Sequence, residues 1–173
     1  MAERARQARG SARGTAATGL PDDWPRVDDF ITHKLHLLTK LADRGAAELF
    51  ASRHGLNLRE WRVLAVIGCF APLSLGRVAE LANLDRGHGS RAVDALVTRG
   101  YVTRTRSRDD GRGWEVGLSA AGRRCFDAAY PDGVERHRRL IDCLSPAEQR
   151  VFMRALERMT AEARRMNAEF DGR

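Results

Sequence analysis

From Asp28 to His54 the apolar residues Phe30, Ile31, Leu35, Leu38, Leu41, Ala42 and Phe50 recur at helical spacing, which predicts one long helix. Asp28 and Asp29 belong at its positive N-terminal end, and Gly55 stops it. Asn57 and Glu60 then have the spacing of a capping box, with an N-cap side chain and a glutamate three residues on. The helix they open is expected to bury Trp61, Leu64, Ala65 and Ile67 and to break between Gly68 and Pro72.

The stretch from Ser74 to Leu118 is the centre of the chain. Ser74 is placed to cap a short helix with Leu75, Val78, Ala79, Leu81 and Ala82 on one side. Asn83 and Leu84 make a turn, and Asp85 caps a second helix whose apolar positions are Ala92, Val93, Leu96 and Val97. Gly100 ends that helix. Its exposed face carries Arg86, His88, Ser90, Arg91 and Asp94. After Gly100 the period changes to that of strands: Tyr101, Val102, Thr103 and Thr105, then Trp114, Val116 and Leu118. Between these runs lies a basic, glycine-containing loop, 106–113. Helix, turn, helix and basic hairpin together read as a winged DNA-binding module, with the second helix suited to the major groove.

Beyond the module the helical pattern returns. Ser119 caps a helix through Cys125, Phe126, Ala129 and Tyr130. Pro131, Asp132 and Gly133 are expected to interrupt it, because proline removes a backbone donor. The pattern resumes from Val134 to Cys143. Ser145, Pro146 and Glu148 then give a strong start signal for a last helix striped by Val151, Phe152, Ala155, Leu156, Met159 and Ala163.

Charge sharpens this picture. Of the 173 residues, 30 are basic and 23 acidic, for a net charge of +7, and only Lys34 and Lys40 are lysines. An arginine-rich excess suits phosphate and guanine contacts, although a basic surface of solvated arginines is the plainer account of charge alone. Residues 1–19 are small, polar and basic, and read as a mobile tail. No apolar run approaches a membrane span, and no secretory leader is visible. Three cysteines, Cys69, Cys125 and Cys143, form no paired motif, which favours a reducing cytoplasm.

Several segments in order resemble the MarR family of bacterial transcription regulators. They are 56–64 (LNLREWRVL), Ser90–Val93 with Leu96, 99–102 (RGYV), and 109–112 (DDGR) with Val116, Leu118, Ser119 and Gly122. The segments 58–64 and 90–93 look most like regulators of aromatic-acid catabolism. The resemblance covers about residues 28–165. It implies a mainly α fold with a small β-wing: a winged helix-turn-helix DNA-binding lobe plus a helical dimerisation region. The expected layout is a flexible basic tail over residues 1–26 and a single domain over 27–173. Within that domain the lobe takes up about 56–118 and the dimerisation helices about 27–54 and 119–168. A homodimer would set two recognition helices ~34–36 Å apart on a pseudo-palindromic operator in double-stranded DNA. The family usually has one long helix where Pro131 stands here.

Candidate DNA contacts are Arg86, His88, Ser90 and Arg91 on the recognition helix. Arg104, Arg106 and Arg108 are candidates on the wing, with Ser74 and Arg77 beside the backbone. Gly87 and Gly89 cost helix stability, either to let the helix approach DNA or to leave an adaptable first turn. The resemblance assigns Arg112 to the minor groove and Asp110 to orienting it. It also implies a phenolic or aromatic-carboxylate effector between the dimer helices and the lobe. His33, His36 and Lys40, on one face at i, i+3 and i+7, with Trp61 and Arg62, are the candidate contacts. The bland readings are surface histidines and a core tryptophan. A metal site at His33 and His36 and a redox switch are weaker alternatives, since Cys69 and Cys125 look like small buried apolar residues. No nucleophile–base pair, phosphate loop or metal-spaced cluster suggests an enzyme or a cofactor. The rival is an architectural DNA-binding protein. The expectation is a cytoplasmic, ligand-responsive regulator, most simply a repressor.

Overall fold

The computed structural model describes residues 24–106 and 113–171. The chain divides into two compact units, Met1–Leu41 and Ala42–Arg173. In the described part of the first, a short 3-10 turn, Val27–Asp29, precedes α1, Ile31–His54. Asp28 and Asp29 therefore lie ahead of the helix and not in its first turn. Lys34 reaches back to the Asp28 carbonyl at 2.5 Å and to the Asp29 carboxylate at 3.7 Å. Ile31, Leu37, Leu38 and Leu41 are exposed along this part of α1.

In the second unit α1 ends against α2, Leu58–Phe70. The capping box is complete. Asn57 Oδ1 accepts from the Arg59 and Glu60 amides at 3.0 Å each, and Glu60 Oε2 accepts from the Asn57 amide at 2.9 Å. α2 ends at Phe70, inside the expected break between Gly68 and Pro72, with Gly68 itself still in the helix. A Cβ there would stand 2.3 Å from the Phe126 ring, so the glycine serves helix packing and not a stop. α3 (Leu75–Leu81), α4 (Arg86–Thr98), β2 (Val102–Arg106) and β3 (Trp114–Leu118) follow the expected order. The two residues Leu73 and Ser74 form a strand, β1, which the sequence pattern missed. It pairs with β3 to give a three-stranded antiparallel sheet of order β1-β3-β2. In the hairpin Val102 pairs with Leu118 and Arg106 with Trp114.

Leu56, Val63, Leu64, Ile67, Val78, Val93, Leu96, Val102 and Val116 form the core, joined by Phe50, Phe126 and Ala129. Trp61 is only half-buried, its ring stacked on Phe50 at 4.0 Å and 13°. Cys69 is exposed and Cys125 half-buried, so neither is the buried residue expected. Burial and loss of solvation still push the Cys125 thiol pKa up.

α5, Ala120–Ile141, continues unbroken through Pro131. An interior proline costs about 3 kcal/mol, and the residues after it supply compensating contacts. Asp132 takes His54 Nε2 at 2.8 Å and Arg53 Nη1 at 3.2 Å. The His54 ring, followed by the Arg53 charge, holds the Asp132 carboxyl below its usual range. Gly133 lies so close to Trp61 that a Cβ would approach its ring to 2.7 Å. α6, Pro146–Asp171, opens with Ser145 and Glu148 in mutual contact, the Ser145 amide donating to Glu148 Oε2 at 2.8 Å. None of the side chains described on α6 is buried.

Candidate nucleic-acid interface and cavity

The first turn of α4 is fixed by Asp85. Its Oδ1 accepts from the His88 amide at 2.8 Å, while Oδ2 meets His88 Nδ1. These contacts, the ring first, pull the Asp85 pKa down to about 2. Gly89 is buried, and a Cβ there would stand 2.6 Å from the Ala79 Cβ and 3.1 Å from its Cα. Gly89 thus lets α3 and α4 meet; it does not face outward. Gly87 is exposed and gives room to the Asp85 carboxylate and the Arg91 guanidinium, whose Nη1 would lie 3.6 Å from an added Cβ. Arg86 and Arg91 are exposed and form no ion pair with any described residue, whereas Ser90 and His88 are half-buried.

Ser74 caps α3, accepting from the Arg77 amide at 3.3 Å. Arg77 is held along its own helix by Glu80 at 2.6 Å, which lowers the Glu80 pKa. Arg104 leaves the wing to pair with Asp94 on α4, so hairpin and recognition helix are tied together. The Arg106 guanidinium lies over the Trp114 ring at 5.0 Å. Arg108, Asp110 and Arg112 lie outside the described residues.

Within the second unit, Phe50, Leu58, Trp61, Arg62, Arg136 and Leu140 line much of a cavity of 240 Å³. Trp61 and Arg62 are thus brought together at one site. Arg62 is already engaged, its Nη2 donating to Asp43 Oδ1 at 2.6 Å. Every residue that lines this cavity comes from Ala42 onward. His33, His36 and Lys40 stand on the exposed part of α1 in the first unit. Among the described residues no group of His, Cys, Asp and Glu is placed to hold a metal ion, and no helix is long and apolar enough to cross a membrane.

Residues 54–113, which span the end of α1, the helix-turn-helix and most of the wing, match the model of the MarR family. The winged-helix lobe is similar to the MarR family. The chain is similar to YkoM, an uncharacterized HTH-type transcriptional regulator of Bacillus subtilis strain 168, with 28% identity over 57% of this chain and 64% of that protein. It thus spans a little under two thirds of that relative's length. The fold is like that of a MarR/EmrR family transcriptional regulator from Acinetobacter sp. ADP1 (TM-score 0.76, 19% identity, 82% of this chain and 99% of that one). It is also like that of Staphylococcus aureus MepR in a DNA complex (TM-score 0.69, 15% identity, 77% and 98%). These relatives and this fold are those of transcriptional regulators and not of enzymes.

Two arginines of the lobe and its flanking helices were missed in the sequence. Arg99, at the end of α4, donates from Nη1 to Glu60 at 3.1 Å and to the Gly55 carbonyl at 3.0 Å, and so clamps α4 to the start of α2. Glu60 is buried, and this partner offsets the cost of its charge. Arg136 on α5 enters the cavity wall over Gly45, where an added Cβ would stand 2.8 Å from its Nη2. It donates to the Ala42 carbonyl at 3.1 Å and has no carboxylate partner among the described residues. The only sequence signal was a glycine in mid-helix at residue 45.

Proposed function

We propose that the chain is a homodimeric, sequence-specific double-stranded DNA-binding regulator that represses a catabolic or secondary-metabolism operon. A small aromatic carboxylate or phenol releases it. The observation that carries this reading is the first turns of α4. Arg86 and Arg91 stand exposed there without a described ion-pair partner, on a helix capped by Asp85 and tied to the wing through Arg104. An unpaired arginine is free to grip guanine O6 and N7. Arg108, Asp110 and Arg112 belong to the proposal on the resemblance alone.

The dimer rests on apolar side chains that the chain leaves open on α6, Val151, Phe152, Met153 and Met159. The effector rests on the cavity, which combines an aromatic wall at Trp61 with the unpaired cation of Arg136. Arg62 is a weaker anchor than Arg136, because an incoming carboxylate would have to displace Asp43. His33, His36 and Lys40 stay in the proposal as candidate effector contacts on the resemblance alone.

The test is fluorescence anisotropy with DNA from upstream of the protein's own gene, at two salt concentrations, with and without a panel of aromatic acids. Dimer-stoichiometric binding that one acid abolishes supports the reading, and Arg136→Ala should then lose the response to acid while still binding DNA. Arg91→Ala should cost about 1–3 kcal/mol on the operator and less on random DNA. Equal loss on both would remove the base-reading role. Binding without sequence preference would favour an architectural protein.

A further inference from the structure

A second concave site lies on the lobe, sharing His88 and Arg91 with the recognition helix and adding Arg59. It is a notch of 190 Å³ between the first turn of α2 and α4, lined by Asn57, Arg59, His88, Arg91, Ala92 and Ala95 with the edge of Glu60. Its charge is positive. Glu60 is committed to Arg99 and to the Asn57 amide. Arg59 and Arg91 are exposed and pair with no described carboxylate. The first amides of α2 are occupied by Asn57 Oδ1, so any anion here would be held by the side-chain cations.

The position of the notch says which anion. His88, Arg91 and Ala95 stand at i, i+3 and i+7 on α4 and turn toward α2, whereas Gly89 turns toward Ala79 of α3. A helix with its side chains is about 10–12 Å across and the major groove is about 12 Å wide. A helix lying in the groove therefore meets a phosphate ridge on each flank. On the α3 side Ser74 and Arg77 are at hand. On the α2 side the notch offers a cationic recess.

We infer that this notch seats one phosphate of the DNA backbone, held by Arg59 while Arg91 is left to the bases, and that Arg59 is a DNA-positioning residue. The inference rests on the DNA-binding reading and adds to it a contact outside the helix-turn-helix and the wing. Arg59 would carry no base preference, since phosphates look alike in every sequence. It would fix how deeply α4 sits in the groove.

Arg59→Ala is a clean variant, because the cap uses only the backbone amide of residue 59. Its urea midpoint should match the wild type. The log–log dependence of affinity on salt should become shallower by about 0.9 per subunit, about 1.8 for a dimer on its operator. The loss should be the same on operator and random duplexes, and Arg59→Lys should restore the slope. A methylphosphonate scan of the operator, which neutralises one phosphate at a time, locates the contact. One position per half-site should weaken the wild type and leave Arg59→Ala unaffected. If the wild type binds with a steep salt dependence and Arg59→Ala reproduces both its slope and its methylphosphonate pattern, the assignment is wrong and the function stands. If the wild type itself binds no DNA, both fall.

Discussion

The lobe and the last helix are built from similar residues in opposite ways. Every large side chain that is fully buried lies between Phe50 and Val116. α6 is as regular a helix and twice the length of α4, yet it buries no described side chain, and Phe152 and Met159 each remain 40% exposed. The lobe closes its core with its own elements, whereas α6 carries an amphipathic stripe that the described residues of its own unit leave mostly open. Helices gain most of their stability from packing such a face, so a stripe left open on so long a helix calls for a second surface. The lobe's shape is therefore a property of one chain, and in the dimer proposed above the setting of α6 would be a property of the assembly.

The contrast can be broken in graded ways. The largest effect is expected in the core, where Leu64→Ala should cost about 2–5 kcal/mol in urea unfolding. A change below about 1 kcal/mol would mean that the lobe is not the rigid member of the pair. Next, Phe152→Asp combined with Met159→Asp should give a monomer by sedimentation while the lobe stays folded by circular dichroism. Affinity for a two-half-site operator should drop about a hundredfold through lost avidity. A variant that still sediments as a dimer would place the self-association elsewhere.

The smallest effect is a protonation confined to the lobe. Asp85 has its pKa lowered from 3.8 to about 2 by His88. A folded value below the unfolded one means that the stabilisation is complete above pH ~4 and disappears as pH falls through ~2. A carboxyl-carbon NMR titration should place the Asp85 midpoint near 2, and His88→Ala should bring it back toward 3.8. A midpoint that stays near 2 without the ring would assign the effect to the backbone cap alone.

Local chemistry made most of the lobe readable in advance. Asn57 with Glu60, Ser74, Asp85, Ser119 and Ser145 with Glu148 each cap the helix their spacing announced. Gly100 adopts the left-handed conformation, with φ +72°, that its place after α4 requires. What escaped was decided by residues far apart in sequence. Pro131 reads as a breaker until Asp132 meets His54. β1 is two residues long and exists only because β3 is beside it. The site divided along the same line. Arg86 and Arg91 were visible from the helix pattern, but Arg99, Arg136 and the notch at Arg59 depend on how α2, α4 and α5 approach one another.

The bare contact of Gly89 on Ala79 sets how a signal could travel through this molecule. At Gly89 no side chain separates α4 from Ala79 of α3, so the two helices meet closely there, and the Arg104–Asp94 pair braces the wing against the same helix. The DNA-reading unit behaves as a solid block with one aim. On the proposed reading, a bound effector would change the direction in which that block points, and the information passed on would be an angle.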